Sequence, residues 1–379
     1  MSKIISIIGL RAFPSDFVGT SGVEAYVQKI IISSSLKQYN FKVYVKSCYQ
    51  SKSNPSNLKI QNNVELKIVF TFISKIFESV IYGFLSSMYC FFDDSTTVWY
   101  QGLGMAIWSW IPHLRGKKIL ITVHSLDWER KKWDSFQNYI FKKISLEILR
   151  RKYYQLVVVS SKIESYLIEN YLNKKIEIIK PGYDSFPLRA TDNLKRNFIS
   201  ETVIQDKYLL FLGRFVPEKN IEGLIKEFIL LRNSGEKISF KLVLAGGSLN
   251  MGDYEEKIVK LSKKNSDIIR LGYVFGRRKQ NLIENCYAMV LPSFLEGNPV
   301  VLYEAISLGK RCIVSQNWLD EEFENHDLIF KANINKKYWL RDALVAIDKS
   351  ARSKTTSKND SIGYRSWDDS AKAYLKYFF

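Results

Sequence analysis

The sequence predicts an α/β protein built as two successive doubly wound, Rossmann-like units, each a largely parallel sheet covered by helices. Three observations predict it. Short β-branched or aromatic runs alternate with segments of helical period along most of the 379 residues. Several of those runs are continuously apolar, as parallel strands covered on both faces are. A polar connector, SFPLRATDNLKRNFIS (185–200), then interrupts the rhythm before it restarts. The length also exceeds one ordinary hydrophobic core, so two domains are the default. We place them at 1–190 and 191–363, with the closing helix in 364–379 assigned to the first.

In the first half the strand candidates are IISIIG (4–9), FKVYVK (41–46), VELKIVF (64–70), TTVWYQG (96–102), KILITVHS (118–125), QLVVVSS (155–161) and IEIIKPG (176–182). Helices are expected at 22–37, 72–91, 134–152 and 161–171. After the connector come YLLFLGR (208–214), FKLVLAGG (240–247), IIRLGYV (268–274), AMVLPS (288–293) and RCIVSQ (311–316), each followed by a helix. KSARSKTTSKND (349–360) reads as a surface loop before a last amphipathic helix, WDDSAKAYLKYFF. No repeat of 20 to 50 residues is visible.

Composition bounds the function. Hydrophobic residues make up 46% of the chain, enough for packed interiors, which excludes wholesale disorder. The net charge of +18 points to an anionic partner: nucleic acid, lipid headgroups or a phosphorylated substrate. Cys48, Cys90, Cys286 and Cys312 are far apart, so neither a zinc site nor a disulfide framework is expected, and a reducing compartment fits. The N-terminal apolar run is too short for a signal peptide. The longest uncharged apolar run, SVIYGFLSSMYCFF (79–92), is too short to span a membrane and reads as a buried helix. No helix-turn-helix, RRM or OB signature supports nucleic-acid binding. The absence of G-x-G-x-x-G after the first strand counts against a nicotinamide enzyme.

Two constellations carry chemistry. In GRFVPEKN (213–220), Arg214 ends a strand and Lys219 lies near a helix start. Two cations beside free helix amides suit a diphosphate; local pairing of Glu218 is the structural alternative. In FLEGNPVVLYEA (294–305), Asn298 is expected as N-cap and Pro299 as first helical residue, leaving the amides of Val300 and Val301 to a second anion contact. Glu296 precedes that turn, and Glu304 lies about 8 Å along the axis, from the usual helical rise. Carboxylates accept hydrogen bonds from hydroxyls, so the pair suits one sugar on either side of a diphosphate. A nucleotide-sugar has that layout. Capping plus a surface glutamate is the bland reading.

In this order and on these elements, the GR…EK pair and the two glutamates resemble retaining glycosyltransferases of the GT-B fold, two Rossmann-like domains facing a central cleft. The resemblance is to the large family 4 type that holds many bacterial glycan-assembly enzymes. GLRAFPSDFVGTSGVEAYVQKI (9–30) and TVHSLDWERKKW (122–133) are similar to its rhamnosyltransferase-type subgroup, and the likeness extends to the terminal SWDDSAKAYLKYF. The chain departs from that subgroup at Ser125, where a glycine is common, and in DFVGTSGVEA.

The resemblance implies roles. Arg214 and Lys219 neutralise the donor diphosphate, Glu304 binds the nucleotide ribose, and Glu296, with Asn298, Pro299 and Val300, holds the transferred sugar. Gly19 and Gly22 let the first helix approach the diphosphate, and His124 contacts the donor sugar near the reacting carbon. Catalysis is assigned to His124, Glu296, Arg214 and Lys219. Glu24, Asp127 and Trp128 face the acceptor or support its loop. The implied reaction is a metal-independent, retaining hexosyl transfer with no cofactor beyond the donor substrate. Its best-fitting version moves L-rhamnose from dTDP-rhamnose to a lipid-linked glycan acceptor in bacterial capsule or O-antigen assembly; a UDP-hexose donor is the alternative, and a sugar-phosphate epimerase or phosphorylase a more distant one. Between Arg115 and Lys152 lie 11 Lys/Arg and 4 Asp/Glu, interleaved with aromatics. A face of that kind suits an anionic membrane surface at the cytoplasmic side of the plasma membrane. Nucleic acid is not an expected partner, and a basic nucleic-acid-binding protein stands as the less favoured alternative to a transferase.

Overall fold

In a computed structural model, which describes residues 3–15, 22–50, 62–71, 77–126, 128, 135–172, 176–183, 207–234, 240–248, 252–352 and 365–378, the chain divides into two compact units. Unit 1 is Met1–Gly182 with Arg365–Phe379, and unit 2 is Tyr183–Tyr364. Each is a parallel sheet with helices between its strands, the two Rossmann-like domains expected of the GT-B class.

Unit 1 contains β1 (Ile4–Leu10), β2 (Asn40–Lys46), β3 (Val64–Val69), β4 (Thr97–Gln101), β5 (Lys118–Val123), β6 (Tyr154–Val158) and β7 (Glu177–Ile178). Their spatial order is β3-β2-β1-β4-β5-β6-β7. Helices α1 (Gly22–Ile31), α2 (Phe77–Phe92), α3 (Ser135–Arg150) and α4 (Ser161–Asn170) connect them. Every residue of β4 is buried, which is why its run TVWYQ shows no alternation. The chain order reverses between β1 and β4, the topological switch point at which doubly wound sheets bind ligands.

Unit 2 contains β8 (Tyr208–Leu212), β9 (Lys241–Ala245), β10 (Ile268–Gly272), β11 (Ala288–Leu291), β12 (Cys312–Ser315) and β13 (Ile329–Ala332), in the order β10-β9-β8-β11-β12-β13. Its helices are α5 (Ile221–Asn233), α6 (Asp253–Ser262), α7 (Gly276–Asn285), α8 (Val300–Ser307) and α9 (Trp339–Arg352). Leu224, Phe228, Ile258 and Leu340 pack into the core on one face of this sheet. Leu282, Ile283, Leu302 and Tyr303 pack on the other. The crossover from β10 through α7 therefore changes face, and the switch point falls between β8 and β11.

The last helix, α10 (Trp367–Phe378), packs on unit 1. Tyr374 hydrogen-bonds through its hydroxyl to Tyr26 (3.1 Å) and Thr122 (3.0 Å), and Phe378 lies edge-on to Phe41. Asp368 accepts hydrogen bonds from the hydroxyls of Ser33, Ser34 and Ser35.

Several expectations need correcting. The first helix ends at Ile31 rather than 37, and Ser34–Leu36 form a 3-10 turn; three consecutive serines turn their hydroxyls to Asp368, which competes with helix continuation. The run 79–92 is helical but only half buried. Tyr82 and Cys90 are fully enclosed, while Phe84 and Phe92 are 39% and 77% exposed, because α2 covers the sheet with one face only. β13 was not expected; its four residues are too few to show a period. The region from 349 is helical as far as Arg352. The connector 185–200 lies outside the described residues, as do 353–364.

Among the described residues the four cysteines are free, no group of three His, Cys, Asp or Glu side chains is placed to hold a metal, and no helix is long and apolar enough to cross a membrane.

Candidate functional site

In unit 2 the candidate residues gather at the carboxyl ends of β8 and β11, across the switch point. β8 and β11 pair directly, with Leu209 opposite Ala288 and Leu210 opposite Met289. Beyond β8 the backbone touches β9: Gly213 N–H donates to Ala245 O at 3.1 Å, and a Cβ on Gly246 would sit 1.9 Å from Gly213 O. With φ at +127°, Gly246 fills a position closed to larger residues on both counts. This contact fixes the direction in which the chain leaves toward Arg214.

The chain then forms a short 3-10 turn, Pro217–Lys219, and enters α5 through Asn220 in the left-handed region (φ 52°). The turn is tied to the segment after β11 by Phe294 N–H donating to Glu218 O at 2.8 Å. Across this tie, Lys219 forms an ion pair with Oε1 of Glu296, which also accepts from Ser293 Oγ at 2.7 Å. Both side chains are mostly shielded, at 18% and 11% exposure. Arg214 lies 4.0 Å from Glu218, the local pairing weighed above.

Eight residues beyond Glu296, the buried Glu304 projects from α8 and is held by Lys279 of α7 at 2.6 Å. The sequence reasoning did not anticipate Lys279. Its signal, a lysine in the first turn of a helix one crossover upstream, is visible in RRKQ but has no fixed spacing from Glu304. The helix start also differs from expectation. Pro299 keeps an extended ψ of 116° and is itself the N-cap, so Val300 is the first helical residue and Asn298 lies outside the cap. The amides of Val300 and Val301 still belong to the first turn, which an α-helix leaves without intrahelical partners.

In unit 1, three neighbouring strand ends stand side by side: Gly9 in β1, Gln101 ending β4, and His124 just after β5. His124 Nε2 lies 2.8 Å from Gln101 Oε1, and its ring meets Tyr26 edge-on at 5.2 Å. Gln101 is buried, and its Nε2 has no hydrogen-bond partner among the described residues. A Cβ on Gly9 (φ +119°) would come within 2.8 Å of Gln101 Cβ. Gln101 was also missed by sequence reasoning.

Gly22 opens α1 as expected, and a Cβ there would meet open space. Glu24 is buried and accepts Arg11 N–H at 2.9 Å, which makes it a support for the chain leaving β1 rather than an exposed acceptor contact. Trp128 is buried and edge-on to Tyr171 at 6.3 Å. Gly19 and Asp127 lie outside the described residues. So do Arg130, Lys131 and Lys132 of the basic stretch. Within that stretch Lys117 is buried on Asp93, so it adds nothing to a basic surface, whereas Arg115, Tyr139 and Lys143 are exposed, as is Leu114 just before it.

Comparison with known proteins follows this division. Residues 195–342 match the family model described as glycosyl transferases group 1, which covers all the unit 2 candidates. The chain is 27% identical over 230 residues to an uncharacterized glycosyltransferase of Methanocaldococcus jannaschii, 58% of each chain. It is 31% identical over 108 residues to O-antigen chain mannosyltransferase B of Escherichia coli, 28% of each. The chain thus spans little more than half the length of the first of these relatives. Among solved structures, it resembles sucrose-phosphate synthase from Thermosynechococcus elongatus with a TM-score of 0.80 at 16% identity, over 99% and 98% of the two chains. It resembles HepE of Anabaena, solved with UDP and glucose, with a TM-score of 0.77 at 13% identity, over 99% of each. At such identities the likeness concerns the fold.

Proposed function

We propose that the protein is a glycosyltransferase that moves a sugar from a nucleotide-diphospho-sugar to a glycan acceptor. The observation that carries this reading is the Lys219–Glu296 pair at the unit 2 switch point. It sets a cation and a hydroxyl-accepting carboxylate side by side where doubly wound sheets bind ligands. Arg214 and the first-turn amides of α8 supply further positive potential. Glu304 supplies a second carboxylate on the same helix. The match of 195–342 to glycosyl transferases group 1 supports the same assignment.

In this reading Arg214 and Lys219 stabilise the negative charge that builds on the departing nucleoside diphosphate. Two unit charges at 4 Å attract by about 4 kcal/mol at the effective dielectric of a protein surface, and preorganised charges of this kind are the largest usual source of rate enhancement. Lys219 is already oriented by Glu296, so little reorganisation is needed when the diphosphate arrives. Glu296 Oε2 has no partner among the described residues and is open to a sugar hydroxyl. The subgroup resemblance assigns His124 to the transferred sugar as well. The reaction is metal-independent and retains configuration by a front-face route: the acceptor oxygen bonds to the anomeric carbon as the phosphate oxygen leaves, and that phosphate takes the acceptor proton.

The finer assignments rest on the subgroup resemblance. They are L-rhamnose from dTDP-rhamnose as donor, a lipid-linked acceptor in surface polysaccharide assembly, and peripheral residence at the inner face of the plasma membrane. The matched O-antigen mannosyltransferase supports the polysaccharide setting. The exposed Arg115, Tyr139 and Lys143, with Leu114 just before them, support contact with anionic lipid through the 115–152 region. A UDP-hexose donor is the second reading. The decisive experiment incubates the protein with dTDP-, UDP- and GDP-sugars and lipid-linked acceptor analogues and reads products by mass. Absence of transfer from every donor would overturn the reading.

A further inference from the structure

From the contacts of Glu296 we infer that Ser293 is a positioning residue, which keeps that carboxylate aimed at the sugar when Lys219 turns to the donor diphosphate. The inference rests on the donor-site reading above and deepens it. Ser293 stands two residues beyond β11 and is fully buried. Its hydroxyl donates to Oε1 of Glu296 at 2.7 Å and has no other partner among the described residues. Lys219 donates to the same oxygen. Two donors thus converge on Oε1, and neither reaches Oε2.

The two donors are unlike. Lys219 carries its ammonium on a flexible four-carbon stem and is 18% exposed. An arriving diphosphate competes for it, since an ammonium has three N–H bonds and is drawn to the greater negative charge. The Ser293 hydroxyl is one bond from Cβ, and β11 beneath it is paired with β8 on one side and β12 on the other. That donor stays where it is. The distinction matters because the last torsion of a glutamate has no sharp rotamer wells. Hydrogen bonds, rather than the side chain itself, must then fix the direction of Oε2. With Oε1 held by Ser293, Oε2 keeps its direction as the lysine moves.

Local turn formation does not account for the hydroxyl. Serines that shape turns bond nearby backbone groups, whereas this one satisfies only a side-chain carboxylate three residues on. Burying a hydroxyl costs free energy that an alanine would avoid. The hydroxyl is better explained by the carboxylate it holds.

The test needs no turnover. Calorimetric titration pairs each nucleotide with its sugar: dTDP with dTDP-rhamnose, UDP with UDP-glucose, and GDP with GDP-mannose. It is run on the wild type, Ser293→Ala, Glu296→Ala and the double variant, with thermal melting to confirm folding. Ser293→Cys, similar in size but only a weak donor, gives a second variant with the same expected result. For the pair that binds best, Ser293→Ala is expected to lower the affinity for the nucleotide-sugar relative to the nucleotide by about tenfold, the lower end for losing a hydrogen bond to a charged group. Affinity for the nucleotide alone stays within about twofold. In the Glu296→Ala background the same substitution changes the ratio by less than about twofold, because a residue acting through another loses its effect when that other is gone. An unchanged ratio in both serine variants, an equal fall in the two Glu296 backgrounds, or a matching loss of nucleotide affinity overturns the inference and leaves the donor-site reading intact. Binding of none of the six ligands to the wild type overturns both.

Discussion

Lys219 and Glu296, 77 positions apart in sequence, form an ion pair across the point where the strand order of unit 2 reverses. The pair exists because β8 and β11 are neighbours, each followed by a short turn at its carboxyl end, and because Phe294 N–H ties one turn to the other. If the pair orients the lysine for a diphosphate, Lys219→Ala and Glu296→Ala each reduce sugar transfer by at least about a hundredfold, the range for removing one preorganised charge or donor. Thermal melting must confirm that both variants are folded, because removing one partner of a mostly shielded pair leaves the other charge uncompensated and lowers the melting temperature. Near-normal turnover in both would remove the assignment.

A second prediction concerns Gln101 and His124. Gln101 Oε1 sits 2.8 Å from His124 Nε2, and β4 is buried along its whole length, so Gln101 helps to set the orientation of the ring. Gln101→Leu is expected to lower kcat by about tenfold, the worth of one hydrogen bond, with little change in donor KM. Gln101→Glu, which keeps the acceptor oxygen and adds charge, preserves ring orientation and shifts the alkaline and acid limbs of the pH–rate profile. If both variants have the wild-type profile and kcat, Gln101 has no positioning role.

Gly9→Ala tests the same corner through stability. The added Cβ meets Gln101 at 2.8 Å and φ stays at +119°, so the substitution is expected to cost about 2 kcal/mol or more, read as a lowered midpoint in urea. Gly22→Ala, where a Cβ meets open space, is expected to leave the midpoint within about 0.5 kcal/mol of wild type.

Acid stability is predicted to depend on Asp368. The Ser33 hydroxyl first, then those of Ser35 and Ser34, hold its carboxyl well below the ordinary value of 3.8. A carboxyl depressed in the folded state contributes stability that is present above its unfolded value and is lost as pH falls through the folded one. Melting temperature should therefore decline below about pH 4, with a shallower decline in Asp368→Asn, which starts from a lower value at pH 7. Parallel declines in the two proteins would show that the serine contacts are not retained in solution.

The membrane assignment predicts sedimentation with phosphatidylglycerol vesicles at low salt, weakening as ionic strength rises. Leu114→Ser combined with Arg115→Ser should reduce the bound fraction severalfold, since burying one leucine contributes about 2 kcal/mol. Equal recovery with purely zwitterionic vesicles would argue against an electrostatic surface.

Much of this was legible in one dimension. The strand runs IISIIG, YLLFLGR and AMVLPS declare buried parallel strands because continuous apolarity is what a doubly covered sheet requires. Arg214, Lys219, Glu296 and Glu304 stand out because strand ends followed by helix starts are short, local patterns. Helix ends were less legible. Three serines at 33–35 look compatible with a helix until Asp368, more than 330 positions away, accepts their hydroxyls.

By itself, the sequence determined the class of fold, the alternation of elements and the residue types at the strand ends, since these depend on periodicity and local backbone preference. Only the tertiary structure decided their partners. It set Lys219 against Glu296, Lys279 against Glu304 and Gln101 against His124, turned Glu24 inward to Arg11, and left one face of α2 exposed. Those outcomes follow from strand order and from which face each crossover takes. Both are set by packing across the whole sheet, and neither leaves a fixed spacing in the chain.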